Sequence, residues 1–182
     1  MRRMLLGILV LLLAACTAHE EKKLTREDIA GAVVLESTTM QMGWDYQLRG
    51  MYIDGDGKVW AYEQHGTPWY PEKLKPGELS ERDMLAKHKG ARQIGEVDPR
   101  VLIDMAQMIS AAAKGPIVRA TGIGEAESSG TLEVAYHLDR TYKTYTEIIL
   151  AGSGDKGATN NSESAKLLLD YLHQVQSLVG YR

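Results

Sequence analysis

The chain has a single cysteine, Cys16, and no phenylalanine among its 182 residues. A lone cysteine cannot form a disulfide within the chain, so the folded part must be held together by packing. Because phenylalanine is missing, aliphatic residues, three tryptophans, nine tyrosines and eight methionines have to fill the core. We therefore expect a domain that folds with neither a disulfide nor a bound metal.

Long apolar runs and basic stripes are also missing. After Leu13, no segment approaches the ~20 consecutive apolar residues of a membrane-spanning helix. The formal net charge is −3, and the lysines and arginines do not cluster into a stripe. This balance argues against nucleic acid as a partner.

The start of the chain has the organisation of an export signal. Met1–Met4 is basic, Leu5–Leu13 is apolar but too short to span a bilayer, and two alanines precede Cys16. The tetrad Leu13-Ala14-Ala15-Cys16 closely resembles the lipobox of bacterial lipoproteins. The resemblance implies export to the periplasm, removal of the signal peptide (residues 1–15) by prolipoprotein signal peptidase, and fatty acylation of Cys16.

The residue after Cys16 bears on the membrane that would hold such a lipoprotein. In enteric-type bacteria an aspartate there retains the protein at the inner membrane, whereas this chain has Thr17. The resemblance thus implies an outer-membrane anchor facing the periplasm. Residues 16–24 are interpreted as the lipidated cysteine and a polar tether, and residues 25–182 as one globular domain.

Two β-hairpins are predicted. Asp54-Gly55-Asp56-Gly57 separates strand-like runs at residues 46–53 and 58–63, and Asp-Gly pairs in that position favour a hairpin turn. Alternating apolar residues predict a second hairpin from Thr131–Asp139 and Thr144–Ala151.

Helices are predicted between and after these hairpins. Ser80 begins a short helix through about Lys87, Asp98-Pro99 begins a longer one ended by Gly115-Pro116, and a final helix runs from about Ser162 to Val179. The apolar spacing of the final helix predicts that Leu168 lies on its buried side. Because the strands come in hairpins rather than alternating with helices, the predicted class is α+β. The expected architecture is an antiparallel sheet with helices packed on one face.

No cofactor or metal is expected. Residues 152–161 are predicted to form a loop. The glycine pattern at residues 152–157 within it is followed by polar residues, whereas a dinucleotide site would need a helix directly there. Read as a calcium loop from Asp54, the segment has Lys58, Val59 and His65 at positions that require an oxygen ligand, Gly and Glu. No two of the five histidines have zinc-ligand spacing on a helix.

A catalytic alternative involves the predicted strand Thr131–Asp139. Glu133, His137 and Asp139 would share one face of that strand and could form the acid/base set of an envelope hydrolase. A strand face that is simply turned to water has the same pattern, so both interpretations stay open.

The long loop at residues 64–79 suggests a binding function instead. Pro68 and Pro71 bracket Trp69 and Tyr70, which are residue types that dominate interface hot spots, and prolines lower the entropic cost of binding. The alternative is that both rings fold back on the sheet. We expect a protein that binds an envelope partner without catalysis, as an inhibitor, an immunity protein or an assembly accessory factor, with the hydrolase as the alternative.

Overall fold

The computed structural model describes residues 23–42, 45–72, 75–119, 129–154 and 157–181. The predicted signal peptide, Cys16 and most of the predicted tether lie outside the described residues. Within these ranges, no helix is both long and apolar enough to cross a membrane.

The described residues form nine strands and five α-helices. The strands are β1 (Val33–Gln41), β2 (Gln47–Asp54), β3 (Lys58–His65), β4 (Glu78–Ser80), β5 (Arg92–Glu96), β6 (Ile117–Arg119), β7 (Ser129–Asp139), β8 (Thr144–Gly152) and β9 (Ala158–Asn160). The helices are α1 (Arg26–Ile29), α2 (Glu81–Lys87), α3 (Pro99–Ala106), α4 (Ile109–Ala113) and α5 (Glu163–Leu178).

All strands belong to one antiparallel sheet with the order β5-β3-β2-β1-β7-β8-β9-β6, and β4 pairs with the beginning of β8. The α+β class and both predicted hairpins, β2–β3 and β7–β8, are confirmed. In the first turn, Oδ1 of Asp54 accepts hydrogen bonds from the backbone N–H groups of Asp56 and Lys58, 3.0 Å away in each case. This side chain therefore closes the hairpin turn.

One face of the sheet is covered by α3, α4 and α5. Leu35, Ile53 and Leu150 from the strands pack there with Leu102 of α3 and with Leu168 and Leu172 of α5. The final helix begins as predicted, because Oγ of Ser162 accepts the N–H of Ala165. We call this the helix-covered face.

The opposite face is covered by α2, β4 and the segment around Trp69. Met84 of α2 packs there against Val134 and Tyr136 of β7. The short helix is therefore present as predicted, but it lies on the side of the sheet away from α3–α5. We call this side the loop-covered face.

Three local predictions are corrected. The helix expected from Pro99 to Lys114 is divided into α3 and α4, because the N–H of Met108 bonds to the carbonyl of Met105, three residues back, and tightens the turn. The end of the 64–79 loop forms β4, and part of the expected loop at 152–161 forms β9, which joins β8 to β6.

Candidate functional site

A carboxylate is buried at the centre of the loop-covered face. Glu36 belongs to β1, whose side chains alternate between the two faces, so it lies opposite to the core residue Leu35. Its exposed fraction is 0%. The side chains around its two oxygens form what we call the buried polar cluster: Glu36, Thr38, Tyr62, Lys87, His88 and Tyr136.

Both oxygens of Glu36 are saturated with donors. Oε1 accepts from the Tyr62 hydroxyl and from Nε2 of His88 at 3.0 Å, and Oγ1 of Thr38 is also 3.0 Å away. Oε2 accepts from Nζ of Lys87 at 2.9 Å and from the Tyr136 hydroxyl. A carboxylate with this many partners is held ionised and in one place.

These donors belong to parts of the chain that are distant in sequence. Lys87 is the last residue of α2 and His88 is its C-cap, and Ser80 sets the position of the helix by accepting the N–H of Asp83. The ring of His88 stacks on Tyr52, with centroids 4.1 Å apart. Lys87 and His88 therefore approach Glu36 from above the sheet, as a pair fixed by one short helix.

Gly50 makes room for one of the hydroxyls. It lies directly across from Thr38 on one side and from Tyr62 on the other. A Cβ built at Gly50 would be 2.5 Å from the Tyr62 hydroxyl oxygen and 2.6 Å from the backbone oxygen of Ser37. The absence of a side chain at this position lets Tyr62 reach Glu36.

The electrostatics of the cluster follow from burial and pairing. Burial by itself would raise the pKa of the Glu36 carboxyl, but the charge of Lys87 and the contact with His88 outweigh it and hold that pKa well below its ordinary value of 4.5. Burial and the nearby negative charge of Glu36 raise the pKa values of Tyr62 and Tyr136 well above 10. Both phenols therefore stay protonated and act as donors.

An apolar cavity of about 380 Å³ lies beside the cluster on the same face. Its floor is the sheet, and its walls are β4, α2 and the segment that contains Trp69 and Tyr70. The lining residues are Thr38, Met40, Met42, Leu48, Trp69, Tyr70, Pro71, Leu79, Lys87, Ser129, Gly130, Leu132 and Glu147.

The two aromatic residues of the predicted binding loop differ in their placement. Trp69 is half-buried and packs against the apolar residues of this face, and its backbone N–H donates to the Tyr46 hydroxyl at 3.1 Å. Tyr70 is 68% exposed and lies at the rim of the cavity. The ring of Trp69 therefore lies back on the sheet, whereas the ring of Tyr70 is exposed, and binding by this loop stays a prediction.

Lys87 connects the cavity with the buried polar cluster. Its Nζ makes hydrogen bonds with Glu36 and with the Tyr136 hydroxyl, the latter at 3.2 Å, and lies 5.5 Å from the centroid of the Trp69 ring. That geometry fits a cation–π contact. The ammonium group is thus part of the cluster and part of the cavity wall.

The residues of the catalytic alternative lie along β7 but have separate partners. Glu133 faces α5, where Oε1 is 2.6 Å from Nε2 of His173. His137 is exposed, and Asp139 accepts the N–H groups of Thr141 and Tyr142 in the following turn. In the described part of the chain, Glu133 therefore pairs with a histidine of the last helix, and Asp139 stabilises a turn.

Sequence reasoning did not identify the buried polar cluster. One signal was available, because Glu36 directly follows the apolar residues Val33, Val34 and Leu35, which predict a buried strand. A charged residue in such a run needs a buried partner. The partners could not be named from the sequence, because Tyr62, Lys87 and Tyr136 follow at separations of 26, 51 and 100 residues.

Comparisons with known proteins find no matching family model, no similar curated protein and no similar solved structure. Among the described residues, no group of three or more histidine, cysteine, aspartate or glutamate side chains is arranged to hold a metal ion. The arrangement itself is a saturated ion pair behind an apolar cavity.

Proposed function

We propose that this chain is a lipid-anchored protein of the bacterial envelope that binds a partner in the cavity beneath Trp69 and Tyr70, without catalysis. The observation that carries the proposal is that the loop with hot-spot residue types forms one wall of an apolar cavity of about 380 Å³. That volume lies at the lower end of the range of binding pockets, roughly 300–1,000 Å³.

The chemistry of the buried polar cluster favours binding over catalysis. A general base needs a lone pair that can reach the substrate. The oxygens of Glu36 are fully engaged and buried, and its pKa is lowered, so it is a poor proton acceptor. Glu133 is engaged by His173. The hydrolase alternative therefore has less support than a binding function of the inhibitor, immunity or assembly-accessory type.

The anchor is proposed from the Leu13–Cys16 tetrad, and Thr17 favours the outer membrane. The eight residues from Cys16 to Lys23 span at most ~29 Å when fully extended. The domain would therefore stay close to the membrane that holds the acyl chains. Replacing Cys16 by Ser should abolish labelling with a clickable fatty acid, and equal labelling of the variant would contradict the anchor.

Site-specific photo-crosslinking in intact cells tests the binding site. A benzophenone amino acid at Tyr70, in the full chain, should crosslink to a partner. The matched control is the same substitution at Tyr142, a tyrosine that is 78% exposed in the turn between β7 and β8. A second control is Met40→Trp, which places a larger side chain in the cavity.

The expected result is a discrete crosslinked product from position 70 that is absent from position 142 and lost with Met40→Trp. Equal products from both positions, or a product from position 70 that survives the filling of the cavity, would contradict the proposed site. The melting temperature of Met40→Trp should be measured alongside, so that a folding defect is recognised.

A further inference from the structure

We infer that the group that enters this cavity is an uncharged, apolar segment of a protein partner, bound through its side chains and its peptide carbonyls. The inference rests on the proposed function, since it names the chemistry of the partner for the same cavity. Three features of the cavity carry it: its charge, its unused donors and its position relative to the tether.

The charge around the cavity favours a neutral occupant. Of the residues that line it, Lys87 and Glu147 carry charge, and Lys87 is already neutralised by Glu36 at 2.9 Å. A carboxylate entering the cavity would approach Glu36 and Glu147, and an ammonium group would approach Lys87. Glu147 already contacts the Tyr136 hydroxyl at 3.4 Å, and a charge also loses its hydration on entry, so the lining favours a neutral occupant over either ion.

Among the residues that the structure describes, two donors in the wall have no hydrogen-bond acceptor. Nε1 of Trp69 is buried and makes no hydrogen bond in the described part of the chain. Lys87 uses two of the three N–H groups of its ammonium, for Glu36 and Tyr136. An occupant that brings a neutral acceptor would therefore add hydrogen bonds without adding charge. The peptide carbonyl is such an acceptor.

The cavity is at the opposite end of the sheet from the tether. Helix α1 follows the tether and is held at the end with the hairpin turns, where Nε of Arg140 donates to the carbonyl of Asp28 at 3.1 Å and the N–H of Gly55 donates to the carbonyl of Ala32 at 2.7 Å. The cavity is lined by the far end of β1 and the beginning of β7.

The two ends of β1 are roughly 26 Å apart. The cavity therefore lies at the end of the sheet farthest from the point where the tether joins the domain. This separation favours a protein in the periplasm as the occupant over the lipid of the membrane that would hold the acyl chains on Cys16.

The lining also suits side chains of a protein. Met40 and Met42 are unbranched and flexible, and methionine adapts to occupants of different shape. Tyr70 at the rim can cover an inserted side chain with its ring and can offer its hydroxyl to the backbone next to it.

Selection from displayed peptides tests the inference. The lipidated full-length protein, in nanodiscs, is used to select from random 12-residue peptides, and the enriched peptides are synthesised and titrated. The soluble probe for the lipid alternative is decanoate, a free fatty acid. Met40→Trp fills the cavity, and Leu167→Trp is its control, at a position that is 42% exposed on α5.

We expect the enriched peptides to share a central run of uncharged apolar residues. Met40→Trp and, as a second variant, Tyr70→Ala should each weaken binding at least tenfold, whereas Leu167→Trp should leave it unchanged. Replacing the central apolar residue of the peptide by Asp or by Lys should also weaken binding at least tenfold.

Other outcomes would overturn the inference, and they are distinguishable from failure of the proposed function. Enrichment of peptides with a charged centre would overturn the neutral chemistry while leaving the cavity as a binding site. Binding of decanoate that depends on Met40, without peptide binding, would replace the protein segment by an acyl chain. If neither the peptides nor decanoate bind but position 70 still crosslinks in cells, the inference about the occupant is overturned and the proposed binding site stands. If neither probe binds and position 70 does not crosslink, the proposed binding site is overturned as well.

Discussion

Both faces of the sheet are covered by other parts of the chain, but the side chains that cover them have opposite chemistry. On the helix-covered face, aliphatic side chains such as Leu35, Leu168 and Leu172 pack into a continuous core under α3–α5. On the loop-covered face, the equivalent central position holds the Glu36–Lys87 ion pair, and beside it the packing leaves a cavity of about 380 Å³.

The difference indicates that the two faces have separate roles. Apolar packing stabilises at ~25 cal/mol per Å² of buried surface and needs no precise partner. A buried ion pair is often no more stabilising than apolar residues of the same volume. A cavity lowers stability, because the side chains that line it lack packing contacts. The loop-covered face therefore keeps features that stability alone does not favour, which is the reason to assign function to it.

The largest expected effect is on the loop-covered face. Replacing Lys87 by Met should lower the free energy of unfolding by ~3–5 kcal/mol, because it leaves the buried Glu36 without its cation. The double variant Glu36→Gln, Lys87→Met should recover part of this loss. Urea unfolding followed by circular dichroism measures both, and a loss below about 1 kcal/mol would show that Lys87 contributes little to holding the pair.

A comparable effect is expected on the helix-covered face. Leu168→Ala should cost ~2–5 kcal/mol, because the side chain is fully buried in the aliphatic core. The neighbouring Leu167, which is 42% exposed, supplies the matched control, and Leu167→Ala should cost less than about 1 kcal/mol. Equal losses in the two variants would contradict the assignment of the buried side of α5.

The pH dependence of stability should distinguish the loop-covered face, which contains Glu36, from the helix-covered face. The pKa of Glu36 is lowered in the folded state, so its contribution to stability is complete above the unfolded value near 4.5 and is lost as the pH falls from there through the folded pKa. The double variant Glu36→Gln, Lys87→Met lacks this group. Between about pH 6 and pH 3 the wild type should lose more stability than the double variant, and parallel curves would refute the linkage.

The smallest effect on stability is expected at the rim of the cavity. Tyr70→Ala should change the free energy of unfolding by less than about 0.5 kcal/mol, as should Tyr142→Ala, since both rings are exposed. Trp69→Ala should cost more than either, because Trp69 packs against the sheet. Melting temperatures would show this order, and a large loss in Tyr70→Ala would mean that its ring supports the fold.

Local signals in the sequence were sufficient for much of the fold. The Asp-Gly pairs located the β2–β3 turn, Asp98-Pro99 located the start of α3, and the apolar spacing of α5 identified Leu168 as buried. Each of these signals lies within a few residues of the structure that it specifies. The short strands β4, β6 and β9 were missed, because three residues carry no periodicity and pairing with distant strands defines them.

Less of the candidate site could be predicted from local sequence signals. The loop with Trp69 and Tyr70 could be singled out by composition, but the separation of its two rings into wall and rim depends on packing with β2 and β3. The buried polar cluster depends on register, since Gly50 must lie opposite Tyr62 for the hydroxyl to reach Glu36. Register between strands is a property of the whole sheet.

The protonated phenols of Tyr62 and Tyr136 give this protein a built-in optical reporter. Nine tyrosines contribute to its ultraviolet spectrum, and the ordinary pKa of a phenol is about 10. Burial and the charge of Glu36 raise the pKa values of these two well above 10, so both stay protonated in alkali that ionises an ordinary phenol. Burial also raises the pKa values of Tyr52, Tyr145, Tyr171 and Tyr181, so the change in absorbance that is delayed until the fold opens reports on these six phenols together, without a label.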